Sequence, residues 1–176
     1  TPAPAAFPFY DGFESGYLGE HWMVSTDNEG RVRVSGDYPA AGAYSVLLDD
    51  AVDNAVSSTA GLILTVDLSA QTEVDLVFSW REFFDDNNDE DGIFIRDDYD
   101  GGWTQLTSFN NGPYEFTPAV IDLSSASAAA GLSFNDHFQI KFQMYDDRSI
   151  AVDGYAVDEV RLRPPLTPTP FPTPTP

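Results

Sequence analysis

Two stretches of the chain alternate apolar and polar residues with a period of two. In Val74-Asp75-Leu76-Val77-Phe78-Ser79-Trp80-Arg81, Val74, Leu76, Phe78 and Trp80 fall on one side, and Asp75, Ser79 and Arg81 on the other. In Phe138-Gln139-Ile140-Lys141-Phe142-Gln143-Met144-Tyr145, Phe138, Ile140, Phe142 and Met144 share a side. Successive side chains of a strand point to opposite faces, so each stretch predicts a strand with one buried face. Shorter runs predict strands at 32–34, 44–48, 62–68, 92–96, 103–109, 116–122 and 155–163, separated by turn residues such as Asn110-Asn111-Gly112-Pro113. Helical periodicity is nearly absent; Ser124–Gly131 reads as one short helical turn or a flat loop. Many strands with a single apolar face argue an all-β, two-sheet antiparallel sandwich.

Proline marks the limits of that region. Ten of the 13 prolines lie in residues 1–8 and 164–176. The division is therefore a Pro/Ala-rich linker at 1–8, the sandwich at 9–163 and a Pro/Thr-rich linker at 164–176. The last run favours polyproline II and would extend about 40 Å. Outside cells such a Pro/Thr run is either a plain spacer or an O-glycosylated stalk, with Thr167, Thr169, Thr173 and Thr175 as acceptors. The chain starts at Thr1 without a leader and reads as a mature or excised segment of a multi-module surface protein.

Composition then removes whole classes of partner. There are 29 acidic and 8 basic residues in 176, a formal charge of −21, yet 42% of residues are hydrophobic and 14% aromatic. That apolar content suits a folded domain rather than an acidic disordered chain. Eight scattered cations cannot form the basic stripe that nucleic acid needs, and anionic membrane surfaces are disfavoured for the same reason. No apolar run reaches the roughly 20 residues of a membrane span, so membrane insertion is not expected. Cysteine is absent, which excludes disulfides, thiolate metal sites and thiol nucleophiles.

Catalysis finds little support. The two histidines, His21 and His137, are too few for a three-histidine zinc site, and no HExxH, GxSxG, P-loop or GxGxxG pattern occurs. No carboxylate pair is singled out by spacing, and the reading is a non-enzyme. Oxygen ligands for Ca²⁺ are better represented. Asp85, Asn87, Asp89 and Asp91 lie in the densest acidic loop, which is either a short cation site or a solvated loop. In Asp158-Glu159-Val160-Arg161-Leu162-Arg163, strict alternation sends Asp158 to the apolar side, where an ionised carboxylate is costly unless paired or metal-bound. Either Asp158 meets such a partner or a bulge turns it outward. If the first and last strands are neighbours, Glu14 and Asp158 would share one ion.

Several short motifs follow one another in a fixed order: Phe13-Glu14, Gly42-x-Tyr44-Ser45, Leu76-x-Phe78-x-Trp80, Gly92-x-Phe94-Ile95, Phe138-x-Ile140-x-Phe142 and Gly154-x-Ala156-Val157-Asp158-Glu159-Val160. The series resembles the MAM domain in a bacterial, cysteine-free form, and is also similar to jelly-roll carbohydrate-binding modules. The resemblance implies a jelly-roll β-sandwich and a structural Ca²⁺ held by Glu14 and Asp158 with Asp11 and backbone oxygens near Gly42. It implies a non-catalytic, secreted or cell-surface module for adhesion, whose partners are neighbouring copies or modules of the same surface protein, or glycans. The alternative is a carbohydrate-binding module attached to a secreted hydrolase. Its ligand face would draw on the outward polar residues, Arg81, Gln143 and Tyr145 above all, beside Gln139 and Lys141, with Trp103 or Tyr99 as a rim aromatic.

Overall fold

A computed structural model describes residues 2–84, 87–151 and 153–166. In chain order the elements are β1 (Phe9–Asp11), β2 (Trp22–Asp27), β3 (Gly30–Ser35), β4 (Ser45–Asp50), β5 (Ser58–Val66), β6 (Asp75–Phe83), β7 (Gly92–Arg96), β8 (Thr104–Ser108), β9 (Thr117–Asp122), α1 (Leu123–Ala129), β10 (Phe138–Asp146) and β11 (Gly154–Arg163). They form two antiparallel sheets. The first has the order β3-β4-β11-β6-β9, with β1 also pairing β11; the second has the order β2-β5-β10-β7-β8. This is a jelly-roll β-sandwich.

The period-two stretches became its inner faces. Phe138, Ile140, Phe142 and Met144 of β10 are fully buried beside Leu62, Leu64 and Val66 of β5. Across the gap stand Leu76 and Phe78 of β6 and Val157, Val160 and Leu162 of β11. Burying each such side chain stabilises the fold by about 1.5–3 kcal/mol, which fixes the inward set of every long strand. Aromatic rings fill one end: Trp80 stacks on Phe109 at 4.4 Å, and Phe109 leans on Tyr155 at 5.1 Å.

Several local features depart from the sequence pattern. The segment 124–131 resolves into α1, whose first turn is capped by Asp122 accepting from the Ser125 amide. Strands β1 and β2 were not anticipated: β1 is three residues long, and β2 buries only Trp22. The boundary at residue 9 also shifts. Ala5, expected in a linker, is fully buried and bridges Val66, donating its amide to Thr65 and accepting from Asp67. Pro4 and Pro8 have no amide hydrogen of their own, but Ala5 has one and donates it to the edge of β5. The Pro/Thr run from 167 onward, with Thr167, Thr169, Thr173 and Thr175, lies outside the described residues.

Candidate functional site

The outer face of the second sheet gathers the polar residues that β10 directs away from the core. Cross-strand register arranges them in rows. One row runs Met23, Ile63, Lys141, Phe94, Gln105 across β2, β5, β10, β7 and β8. The next holds Thr65, Gln139 and Arg96, and on the other side lie Ser25, Gly61, Gln143 and Gly92. Trp103, just ahead of β8, packs against the middle of this face. The Arg96 guanidinium lies 4.3 Å from its ring centre and the Lys141 ammonium 4.5 Å from it, with Phe94 a further 4.7 Å contact for Lys141.

Hydrogen bonds lock the polar groups in place. Arg96 Nε donates to Gln139 Oε1 at 2.7 Å, and Gln139 Nε2 donates to Thr65 Oγ1 at 2.9 Å. Lys141 Nζ donates to Gln143 Oε1 at 2.5 Å, while Gln143 Nε2 donates to the Glu90 carbonyl at 2.8 Å. Lys141 is only 9% exposed, and among the described residues it forms no ion pair with a carboxylate. Burial, reinforced by the Arg96 charge, pulls its ammonium down to about 8. Burial lowers Arg96 as well. Two adjacent cations thus lie on one face of a chain of charge −21, with the Glu90 charge acting on Lys141 but no carboxylate among the described residues in salt-bridge contact with it.

The sequence-expected ligand face divides between the sheets. Gln143 belongs to this face, and half-buried Tyr145 follows it on β10 with its amide donated to Asp91. Arg81 does not. It lies on β6 of the other sheet, paired with Ala156, with its guanidinium 4.6 Å over the Tyr38 ring. A period of two tells which residues point outward but not which sheet carries them. Tyr99 stacks on His137 at 5.1 Å, and His21 Nδ1 is bonded to the Ala3 carbonyl oxygen.

The terminal strands are neighbours, the condition on which a shared ion depended: Asp11 of β1 stands opposite Val160 of β11. A β-bulge follows Asp158, where Glu159 and Val160 together oppose Phe78 and Glu159 takes φ 55°. Val157 therefore faces the core while Asp158 shares the outer face with Ala156 and Ser79. Strict alternation through Asp158 was wrong, because the bulge adds a residue. Asp158 is nonetheless fully buried, beneath the loop leading into β4. It accepts from the amides of Ala40 and Ala41 at 2.9 and 3.2 Å, and from Glu159 at 2.7 Å. Burial raises its carboxyl against those three donors.

Glu14 accepts from the amides of Ala43 and Tyr44. Gly42, at φ 63°, leaves room for that carboxylate, since a Cβ there would strike it. Asp11 accepts from the Phe13 amide and from Trp22 Nε1. Amide hydrogens thus point at the oxygens that a shared cation would need. Glu14 and Asp158 thereby clasp the loop at 40–44 to the ends of the terminal strands.

The acidic loop is split in the same way. Asp85 lies outside the described residues. Asn87 is exposed and bonds Asn111, and Asp89 is exposed. Asp91 turns inward to complete burial, accepting from the Tyr145 and Asn88 amides, and burial drives its carboxyl up to about 7 with Asp146 adding to the effect. Of the three described residues, Asn87 and Asp89 stay at the surface while Asp91 is buried. The loop leads into β7, which carries its last acid, Asp91, into the interior.

No protein-family model matches the chain, and no curated protein matches it. Solved structures do. A family 61 carbohydrate-binding module in complex with β-1,4-galactotriose matches with 20% identity over 88% of this chain and 94% of that one, at a TM-score of 0.54. The family 22 xylan-binding domain of Paenibacillus barcinonensis Xyn10C matches with 13% identity over 92% and 97%, at 0.51. A family 11 module from Clostridium thermocellum, in complex with a β-1,3-1,4-mixed-linked tetrasaccharide, matches with 12% identity over 89% and 94%, at 0.52. The fold is that of jelly-roll carbohydrate-binding modules. Identities this low establish the shared architecture alone, and the likeness to MAM domains rests on the sequence motifs. Within the carbohydrate-binding-module fold, Gln139, Lys141 and Gln143 were legible as outward residues of one strand. Arg96 and Phe94 were not connected with them, although the alternation of Gly92–Arg96 already turned both outward. Their adjacency needed the β7–β10 register.

Proposed function

We propose that the chain is a non-catalytic carbohydrate-binding module of a secreted protein, holding a glycan on the outer face of the second sheet. The observation that carries this reading is the buried Lys141, without a salt bridge among the described residues, beside Arg96 and the Trp103 indole. Sugar recognition combines an aromatic surface with fixed polar groups, and this face supplies both. Lys141 and Arg96 donate toward hydroxyl or carboxylate oxygens, and Gln139 and Gln143 hold the two cations in position. The structural neighbours support the reading through their own ligands, a galactotriose, xylan and a mixed-linked tetrasaccharide. An extracellular setting accords with it. No helix among the described residues is long and apolar enough to cross a membrane. An adhesive role in a surface filament has no observation of its own.

A glycan array probed with the full chain, followed by affinity electrophoresis on galactan, xylan and mixed-linkage β-glucan, tests the proposal. Binding to at least one glycan, lost in Lys141→Ala and Trp103→Ala, is expected. An array without a hit, or a hit indifferent to both substitutions, overturns it.

A further inference from the structure

Three buried carboxylates meet at one end of the sandwich. Asp50 ends β4, Asp146 ends β10, and Asp153 immediately precedes β11. One oxygen from each lies within 4.8 Å of the other two. Their exposures are 0%, 5% and 4%. Among the described residues, this is the only group of three or more potential ligand side chains drawn so close together.

The second observation concerns Asp50. Its Oδ1 accepts from Ser58 Oγ, but its Oδ2, fully buried, has no hydrogen-bond partner. A buried carboxylate oxygen left unsatisfied costs free energy unless something positive meets it. The arginines on the adjoining strand do not. Arg31 and Arg33 are both turned to Asp49, on the opposite side of β4, at 2.8 and 2.9 Å. Neither Asp50 nor Asp146 forms an ion pair among the described residues. Asp146 accepts only one amide on each oxygen, from Arg148 at 2.7 Å and from Ile150 at 3.2 Å, which leaves lone pairs on both.

We infer that Asp50, Asp146 and Asp153 bind a divalent cation of the hard, oxygen-seeking class, Ca²⁺ in the first instance. Three carboxylates without histidine or cysteine select Ca²⁺ or Mg²⁺ over zinc and copper. Ligands drawn from two strand ends and a loop suit the irregular shell that Ca²⁺ accepts better than the strict octahedron of Mg²⁺. The position also gives the ion a mechanical role. β4 and β11 belong to the first sheet and β10 to the second, so the ion would staple the sheets together and anchor the connection at 147–153.

The test is a calcium titration of the chelator-treated full chain, read by calorimetry and by thermal melting. At a hundredfold excess over Kd, Ca²⁺ is expected to raise Tm by roughly 5–10 °C, with Mg²⁺ doing less. Asp50→Asn and Asp153→Asn should each lose the response. Without calcium, Asp50→Asn should melt at or above the wild type, because it removes one of three mutually repelling charges; this also shows that the variant folds. Glu14→Gln should keep the response. A wild-type melt unmoved by calcium overturns the inference, and so does a response that survives Asp50→Asn or disappears in Glu14→Gln.

Discussion

Replacing Lys141 by methionine keeps most of the length of the side chain and removes its charge. In the folded protein the ammonium is drawn from 10.5 down to about 8, a penalty on the charged form of roughly 3 kcal/mol. Its contacts with Phe94 and Trp103, at 4.7 and 4.5 Å, return roughly 0.5–2 kcal/mol. Methionine also leaves Gln143 Oε1 without its donor, at a cost of about 1 kcal/mol. The net expectation is a variant more stable than the wild type by up to about 1.5 kcal/mol below pH 8, a rise in Tm of up to roughly 6 °C. The pH dependence gives a sharper signature. Between about pH 8 and 10.5 the unfolded lysine still holds its proton while the folded one has released it. Wild-type stability therefore rises with pH across that window, and the advantage of the methionine variant shrinks. Thermal melts of both proteins at pH 6, 8 and 10 measure this, alongside glycan binding, which the variant should lose. A methionine variant clearly less stable than the wild type at pH 6, or a stability difference between the two that stays constant from pH 6 to 10, would refute the reasoning that Lys141 is a strained cation kept for a ligand.

Other substitutions separate the parts of the molecule. Gln143→Ala should weaken glycan binding about tenfold in affinity electrophoresis, whereas Arg81→Ala, on the opposite sheet, should leave it unchanged. Asp158→Ala removes the acceptor for the Ala40 and Ala41 amides; limited proteolysis should then cut within residues 38–44 while circular dichroism still reports the sandwich, at a cost of about 1–3 kcal/mol. Gly92, at φ 146°, lies against the Thr107 carbonyl, so Gly92→Ala should part β7 from β8, lowering Tm and displacing Arg96 from the binding face. Phe142→Ala opens a cavity in the middle of the core and should cost about 3–5 kcal/mol in urea denaturation.

What the sequence determined by itself was the pattern of inward and outward residues. The alternation in Val74–Arg81 and Phe138–Tyr145 was enough for an all-β sandwich, because burial of one face leaves a period-two segment no other stable conformation. The same alternation made Gln139, Lys141 and Gln143 outward neighbours. Where local pattern is weak, the sequence was silent: β2 carries one buried residue, and the amide of Ala5 finds its partner only because β5 is there. A single inserted residue at the bulge after Asp158 reversed the expected face, since a slip of one position turns a side chain to the other side. Tertiary structure alone decided which strands share a sheet. It separated Arg81 from Gln143, brought Arg96 and Trp103 to Lys141, and drew Asp50, Asp146 and Asp153, more than a hundred residues apart in sequence at the extremes, within 4.8 Å. Side-chain period is a property of a strand, whereas the neighbours of a strand are set by pairing across the whole chain.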